Sequence, residues 1–163
     1  MASDTFASRS IGAVYAGEAG KETRRGMRKI NEAGIYPSMA IRVSTDNFLY
    51  LAKNSDKIFS GIAADMPGED LDTVYASGDI IEYFGATDDV DVWVWYVAQS
   101  PAVNLVEGDV LVLSATDGMF MKFAYANATD ITDVTDLTGT VRLVDDVVTG
   151  SATNNQLIRV HLS

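Results

Sequence analysis

Residues 110–124 read VLVLSATDGMFMKFA, and this stretch decides the class of fold. Two apolar runs of strand length flank a short polar segment that ends in Asp117-Gly118. Gly accepts the positive φ that tight hairpin turns require, and Asp bonds back to its own backbone there. An amphipathic helix would place apolar residues three and four apart. Here they are contiguous over four positions and then stop, which is the texture of a buried strand. The stretch is a β-hairpin.

Upstream, residues 40–52 read AIRVSTDNFLYLA, with the polar turn Ser44-Thr45-Asp46-Asn47 between two apolar runs. The two hairpins stand 71 residues apart when Asp46 is set against Asp117. Phe59 to Asp65 (FSGIAAD) likewise resembles Leu137 to Asp146 (LTGTVRLVDD), with Gly61 set against Gly139. Residues 78–84 (GDIIEYF) resemble residues 155–162 (NQLIRVHL), with Ile81 against Ile158. Three likenesses in the same order indicate an internal duplication over about 36–84 and 105–162. Turn residues recur every 8–12 positions throughout, as in sandwiches and barrels. The expected class is therefore all-β, with two similar small barrel-like or sandwich-like modules. They span 36–98 and 99–163, pack as one body, and follow an N-terminal arm, 1–35.

Residues 90–98 stand apart. Val90, Val92, Val94 and Tyr96 share one strand face, and Trp93, Trp95 and Val97 the other. With both faces apolar, the strand is central or lies at an interface. Trp93 and Trp95 are accordingly candidate partner-binding residues. An exposed stripe of such rings could equally stack on sugars.

The 163 residues are 47% hydrophobic, enough for a sizeable core. There is no cysteine, which excludes disulfides and thiolate metal sites. No apolar run approaches the roughly 20 residues that span a bilayer as a helix, and no secretory leader is expected. The net charge is −11, with uneven placement: residues 1–30 hold six basic and three acidic side chains. The basic ones, Arg9, Lys21, Arg24, Arg25, Arg28 and Lys29, are candidate contacts to a partner. Residues 20–33 suggest a short helix that sets 21, 24, 25 and 28 on one side, ended by Gly34. The acidic remainder repels nucleic acid, so an acidic protein surface is the expected partner.

Chemistry is sparse. His161 is the one histidine, on the final strand. No nucleophile, zinc-binding or phosphate-binding pattern is present. The carboxylates cluster in turns, such as Asp88, Asp89 and Asp91, where hydrated capping is the ordinary role and calcium the alternative. No catalytic residue, cofactor or metal is expected, and the chain is not expected to be an enzyme.

Residues 106–113 (VEGDVLVL), then Gly139-Thr140-Val141, Asp145-Asp146 and the closing strand 157–162 (LIRVHL), form a run that resembles the capsid decoration, or cement, proteins of tailed bacterial and archaeal viruses. The resemblance covers about 36–163 and is one of texture. It implies a virion structural protein on the outer surface of an icosahedral capsid, assembled in the host cytoplasm. It further implies clamping of neighbouring major capsid protein subunits, a homo-oligomer with a trimer favoured, and no nucleic-acid or membrane partner. Two modules depart from the single one of many relatives. A tail-tube or head-completion subunit and a carbohydrate-binding β module are the alternative expectations.

Overall fold

The computed structural model describes residues 13–18, 22, 24, 27–55, 59–66, 70–97, 104–123, 141–145, 147–148 and 155–163. The described residues are all-β, with no helix among them and hence none long and apolar enough to cross a membrane. The strands are β1 (Arg28–Lys29), β2 (Ala40–Val43), β3 (Leu49–Leu51), β4 (Gly61–Ala63), β5 (Ile80–Ile81), β6 (Tyr83–Gly85) and β7 (Val90–Tyr96). They continue with β8 (Asn104–Leu105), β9 (Val110–Leu113), β10 (Phe120–Lys122), β11 (Val141–Leu143), β12 (Val147–Val148) and β13 (Gln156–Leu162).

Five strands close a barrel in the order β10-β7-β13-β11-β9. Its longest ladder joins β7 to β13 over seven residue pairs, from Val90↔Leu162 to Tyr96↔Gln156. A parallel pair, Tyr96↔Phe120, completes the ring. Val92, Val94, Phe120, Val141, Ile158 and Val160 are all buried. β-branched and aromatic side chains suit this pleated interior.

The first half is paired the same way, register included. Ile41 lies between Leu51 and Gly61, as Leu111 lies between Lys122 and Val141. Gly61 faces Gly85 as Val141 faces Leu162. β5 and β6 are one bent strand interrupted at Glu82, and Ile81 faces Arg28 as Ile158 faces Val94. The parallel bridge Ile30↔Leu49 stands where Tyr96↔Phe120 stands. The four-stranded sheet β3-β2-β4-β6 and the two-stranded sheet β1-β5 thus follow the same order as a second, less completely paired barrel, which that single bridge closes. Even the side contacts recur, since Ile35↔Tyr75 matches the β8–β12 ladder, Leu105↔Val147.

Three expectations need correction. The module boundary at 98/99 falls instead before Val90, because β7 pairs with β13 and β10 in the second barrel. Of the helix expected over 20–33, residues 28–33 are not helical: Arg28–Lys29 form β1, and Ile30 beyond it is fully buried and bridges Leu49, a hold that the thin stripe of Met27 and Ile30 could not give a helix. Gly61 corresponds to Val141, two residues past the Gly139 set against it from sequence. Residues 19–21, 23, 25 and 26 lie outside the described set.

The barrels meet along one seam. The tip of the β9–β10 hairpin enters the first barrel, where the Gly118 N–H donates to Ala52 O (2.9 Å) and the Ala40 N–H donates to Gly118 O (2.9 Å). Gly118 has φ +77°, and a Cβ there would lie 2.7 Å from Leu51 Cδ2. Phe59 and Phe120 pack edge to face, 5.7 Å between centroids. On the other side of the seam, the Trp95 N–H donates to Ser38 O (3.2 Å) and its Nε1 donates to Pro37 O (3.0 Å).

Ser38 is strained: its φ is +72° and its buried Oγ has no hydrogen-bond partner. The corresponding residue is Gly108, at φ +88°, and both N–H groups donate to the end of a matching strand, Ala63 O and Leu143 O. A side chain in the left-handed region costs roughly 1–2 kcal/mol, and a buried unpaired hydroxyl costs about as much again. Glycine's extra freedom in the unfolded chain offsets part of that. Ser38→Gly is expected to stabilise the protein by about 1 kcal/mol, raising the thermal midpoint by about 2–4 °C in calorimetry. Gly61→Ala should do the reverse, by about 3 kcal/mol, since its Cβ would stand 2.0 Å from the Phe84 carbonyl oxygen.

Candidate functional site

The described part of the N-terminal segment straps both barrels together. Tyr15 bridges Val92 in antiparallel fashion. The Trp93 N–H donates to Val14 O (2.8 Å), and the Ala16 N–H donates to Asp91 O (2.9 Å), so the segment extends the outer edge of β7. On the first barrel, the Val14 N–H donates to Asp65 Oδ1 (3.0 Å). The Tyr15 ring stacks on Phe84, 6.2 Å between centroids. Arg24 finishes the strap. Its guanidinium lies 5.4 Å above the Phe84 ring, donates to Asp65 O (2.7 Å) and Asp65 Oδ1 (3.3 Å), and pairs with Glu82 (3.6 Å) and Glu22. A cation over an aromatic face with charged acceptors at its rim is a strong combination when partly buried.

Register explains why the Tyr15 ring and Arg24 cover the outer face of the first barrel only. Ala40, Ile62 and Phe84 form an apolar row across the first sheet. The matching row in the second barrel is Val110, Arg142 and His161, which carries two polar side chains and stays at least partly exposed. His161 there bridges two carboxylates: Nδ1 to Asp91 Oδ1 at 2.6 Å and Nε2 to Asp89 Oδ1 at 2.8 Å. A carboxylate accepts only, so this geometry favours the doubly protonated ring, in which each nitrogen donates to one carboxylate. The hydrogen bond to Asp91 foremost, opposed by partial burial and aided by Asp89, raises the pKa above the ordinary 6.5. Beside it Tyr15, Glu18 and Asp88 help line a cleft of about 230 Å³.

The acidic turn is occupied structurally. Asp88 Oδ2 accepts the Gly85 N–H (2.8 Å), and Asp89 and Asp91 hold His161. Among the described residues no group of three or more His, Asp or Glu side chains is placed to hold a metal ion. The other converging charges also close local structure: Arg159 grips Asp145 with two bonds (2.7 and 2.8 Å), and Lys122 pairs with Asp109 (2.9 Å).

The candidate partner-binding residues are scattered. Arg24 binds Asp65 and lies over Phe84 of its own chain. Arg28 reaches Tyr83 Oη (3.5 Å) and Asn47 Oδ1 (3.3 Å), while Lys29 is exposed on β1. Trp95 is 3% exposed and holds the seam, which removes it as a stacking platform; Trp93 is half-buried. Arg9, Lys21 and Arg25 lie outside the described residues. The sequence reading missed Asp65 and Phe84 as the anchor of the strap. A buried Asp directly after the apolar run Ile62-Ala63-Ala64 was the available signal.

The fold and this arrangement define an all-β protein of two like-paired barrels tied by a strap. Comparison with protein-family models finds no match. Comparison with curated proteins finds none either.

Being the one histidine, His161 gives a single resolved imidazole signal in a proton NMR titration. The bound proton stabilises the fold fully below pH 6.5, and that contribution fades as pH rises through the raised folded-state value. Asp91→Asn is expected to lower the titration midpoint more than Asp89→Asn. Equal, unshifted midpoints in all three proteins would remove the bridge.

Proposed function

We propose that this protein is a virion structural component that sits on the outer surface of an icosahedral capsid and clamps neighbouring major capsid protein subunits. The observation that supports it best is the use made of the described titratable groups. Asp65, Asp88, Asp89, Asp91, Asp109, Asp145, Arg24, Arg159 and His161 are joined to one another, to the backbone or to the strap. The chemistry of the chain goes into holding a shape. Two barrels locked by a seam and a strap make a rigid body suited to a repeating lattice, where many weak contacts add through avidity. The excess of acidic charge keeps such a body from nucleic acid and from its own kind at random contacts. The C-terminal likeness to capsid decoration proteins supplies the lattice. The two barrels are, in this proposal, the products of an internal duplication.

A tail-tube or head-completion subunit would share these physical properties and differ in its lattice. A carbohydrate-binding role loses its better platform with the burial of Trp95.

Co-sedimentation with purified empty capsids tests the proposal. Binding is expected to saturate at a fixed ratio to the capsid subunit, and Lys29→Glu is expected to weaken it without lowering the thermal midpoint. Failure to sediment with capsids at any concentration would reject the decoration role.

A further inference from the structure

Register shows which surfaces of the two barrels are equivalent, and one pair is mated while the other is bare. Within the chain, the loop Pro37-Ser38 of the first barrel covers the outer side of β7 at Trp95. Trp95 lies opposite Leu157 and directly before the parallel bridge Tyr96↔Phe120. Lys29 holds the same place in the first barrel, opposite Ile80 and directly before Ile30↔Leu49. Since Ser38 matches Gly108, the loop Pro37-Ser38 matches Glu107-Gly108. The first barrel thus has its own version of the docking face, and the second barrel its own version of the docking loop.

Both are open, and both expose apolar side chains that the mated versions cover. On the face, Met27 is 60% and Ile80 52% exposed, whereas Leu157, the counterpart of Ile80, is buried. At the loop, Val106 is 52% exposed, whereas its counterpart Tyr36 packs against the core. Exposed large apolar side chains gathered at one place mark interaction surfaces. The polar groups correspond too. Where the seam has the neutral Trp95 Nε1–H donating to the Pro37 carbonyl, the open face has the exposed cation Lys29, a donor of the same kind for a loop carbonyl.

We propose that a second copy of this chain occupies both surfaces: the loop 106–108 of one copy docks on the Met27, Lys29 and Ile80 face of the next. The contact repeats between chains the seam that joins the barrels within one. The hairpin tips change in step with it. Asp117-Gly118 enters the apolar pair Leu51 and Met39, while the equivalent tip Asp46-Asn47 would meet the equivalent pair, Lys122 and Asp109. A polar tip thus meets a polar pair. Because two different surfaces mate, the association is head to tail, and it builds a ring if the rotation closes or an open chain if it does not. This goes beyond the proposed function and needs no capsid.

Sedimentation velocity on the full chain over a wide concentration range tests it. The wild-type sedimentation coefficient is expected to rise with concentration, and Ile80→Asp or Val106→Asp should each weaken association by roughly tenfold or more. Mixing the two variants is the decisive step. One intact loop and one intact face remain, so the mixture should stop at dimers. Circular dichroism melting checks that each variant is folded; should Ile80→Asp lower its melting point, K29E replaces it. A wild type that stays monomeric throughout would overturn the proposal. So would association that Ile80→Asp abolishes and Val106→Asp leaves intact, which would mean the face pairs with itself. Association without capsid binding would keep this inference and reject the decoration role, so the two failures are distinguishable.

Discussion

β7 is buried along one face and, at Trp95, on the other, and the rest of the molecule is arranged around that constraint. Val92, Val94 and Tyr96 fill the second barrel, while Trp95 on the reverse face is enclosed at the seam. A strand that carries apolar side chains on both faces needs cover on two sides. One cover is the ring of strands β13, β11, β9 and β10. The other is the first barrel, with residues Val14 to Ala16 along the remaining edge. β7 therefore belongs to a barrel core and to an inter-barrel joint at once. Loosening it would open both.

The strap follows from the same logic applied to the first barrel. Its outer row Ala40, Ile62 and Phe84 is apolar, so something must lie over it. Tyr15 supplies a ring and Arg24 a cation, and the otherwise costly buried carboxylate of Asp65 becomes their anchor. In the second barrel the matching row carries Arg142 and His161 and stays wet. When protonated, His161 between Asp89 and Asp91 offsets part of a crowded acidic turn. The two barrels share one pairing pattern and differ in what their outer rows carry. That difference separates a strapped surface from a solvated one.

Both hairpins, the two-faced strand and the all-β class were legible because each is a local signal. Asp117-Gly118 between apolar runs has few other readings, and Gly118 does adopt the positive φ. The helix over 20–33 was misread because β1 spans two residues, too few to show a period, among charges that also fit a helical stripe. The module boundary was misplaced for a related reason. β7 stands beside the first half in sequence, and only its ladder to β13, some 66 residues away, assigns it to the second.

The amino-acid sequence by itself determined what could be decided within a dozen residues: which segments are strands, where the chain turns, that there is no thiol chemistry, and that charge is unevenly spread. Tertiary structure alone decided what depends on contacts across the chain: that a strand preceding each hairpin closes the ring in parallel, that Trp95 is enclosed, and that Arg24 binds its own chain. The physical reason is range. Turn chemistry and alternation act between neighbours, whereas ring closure and burial depend on which distant surfaces meet, and no short window of residues records that.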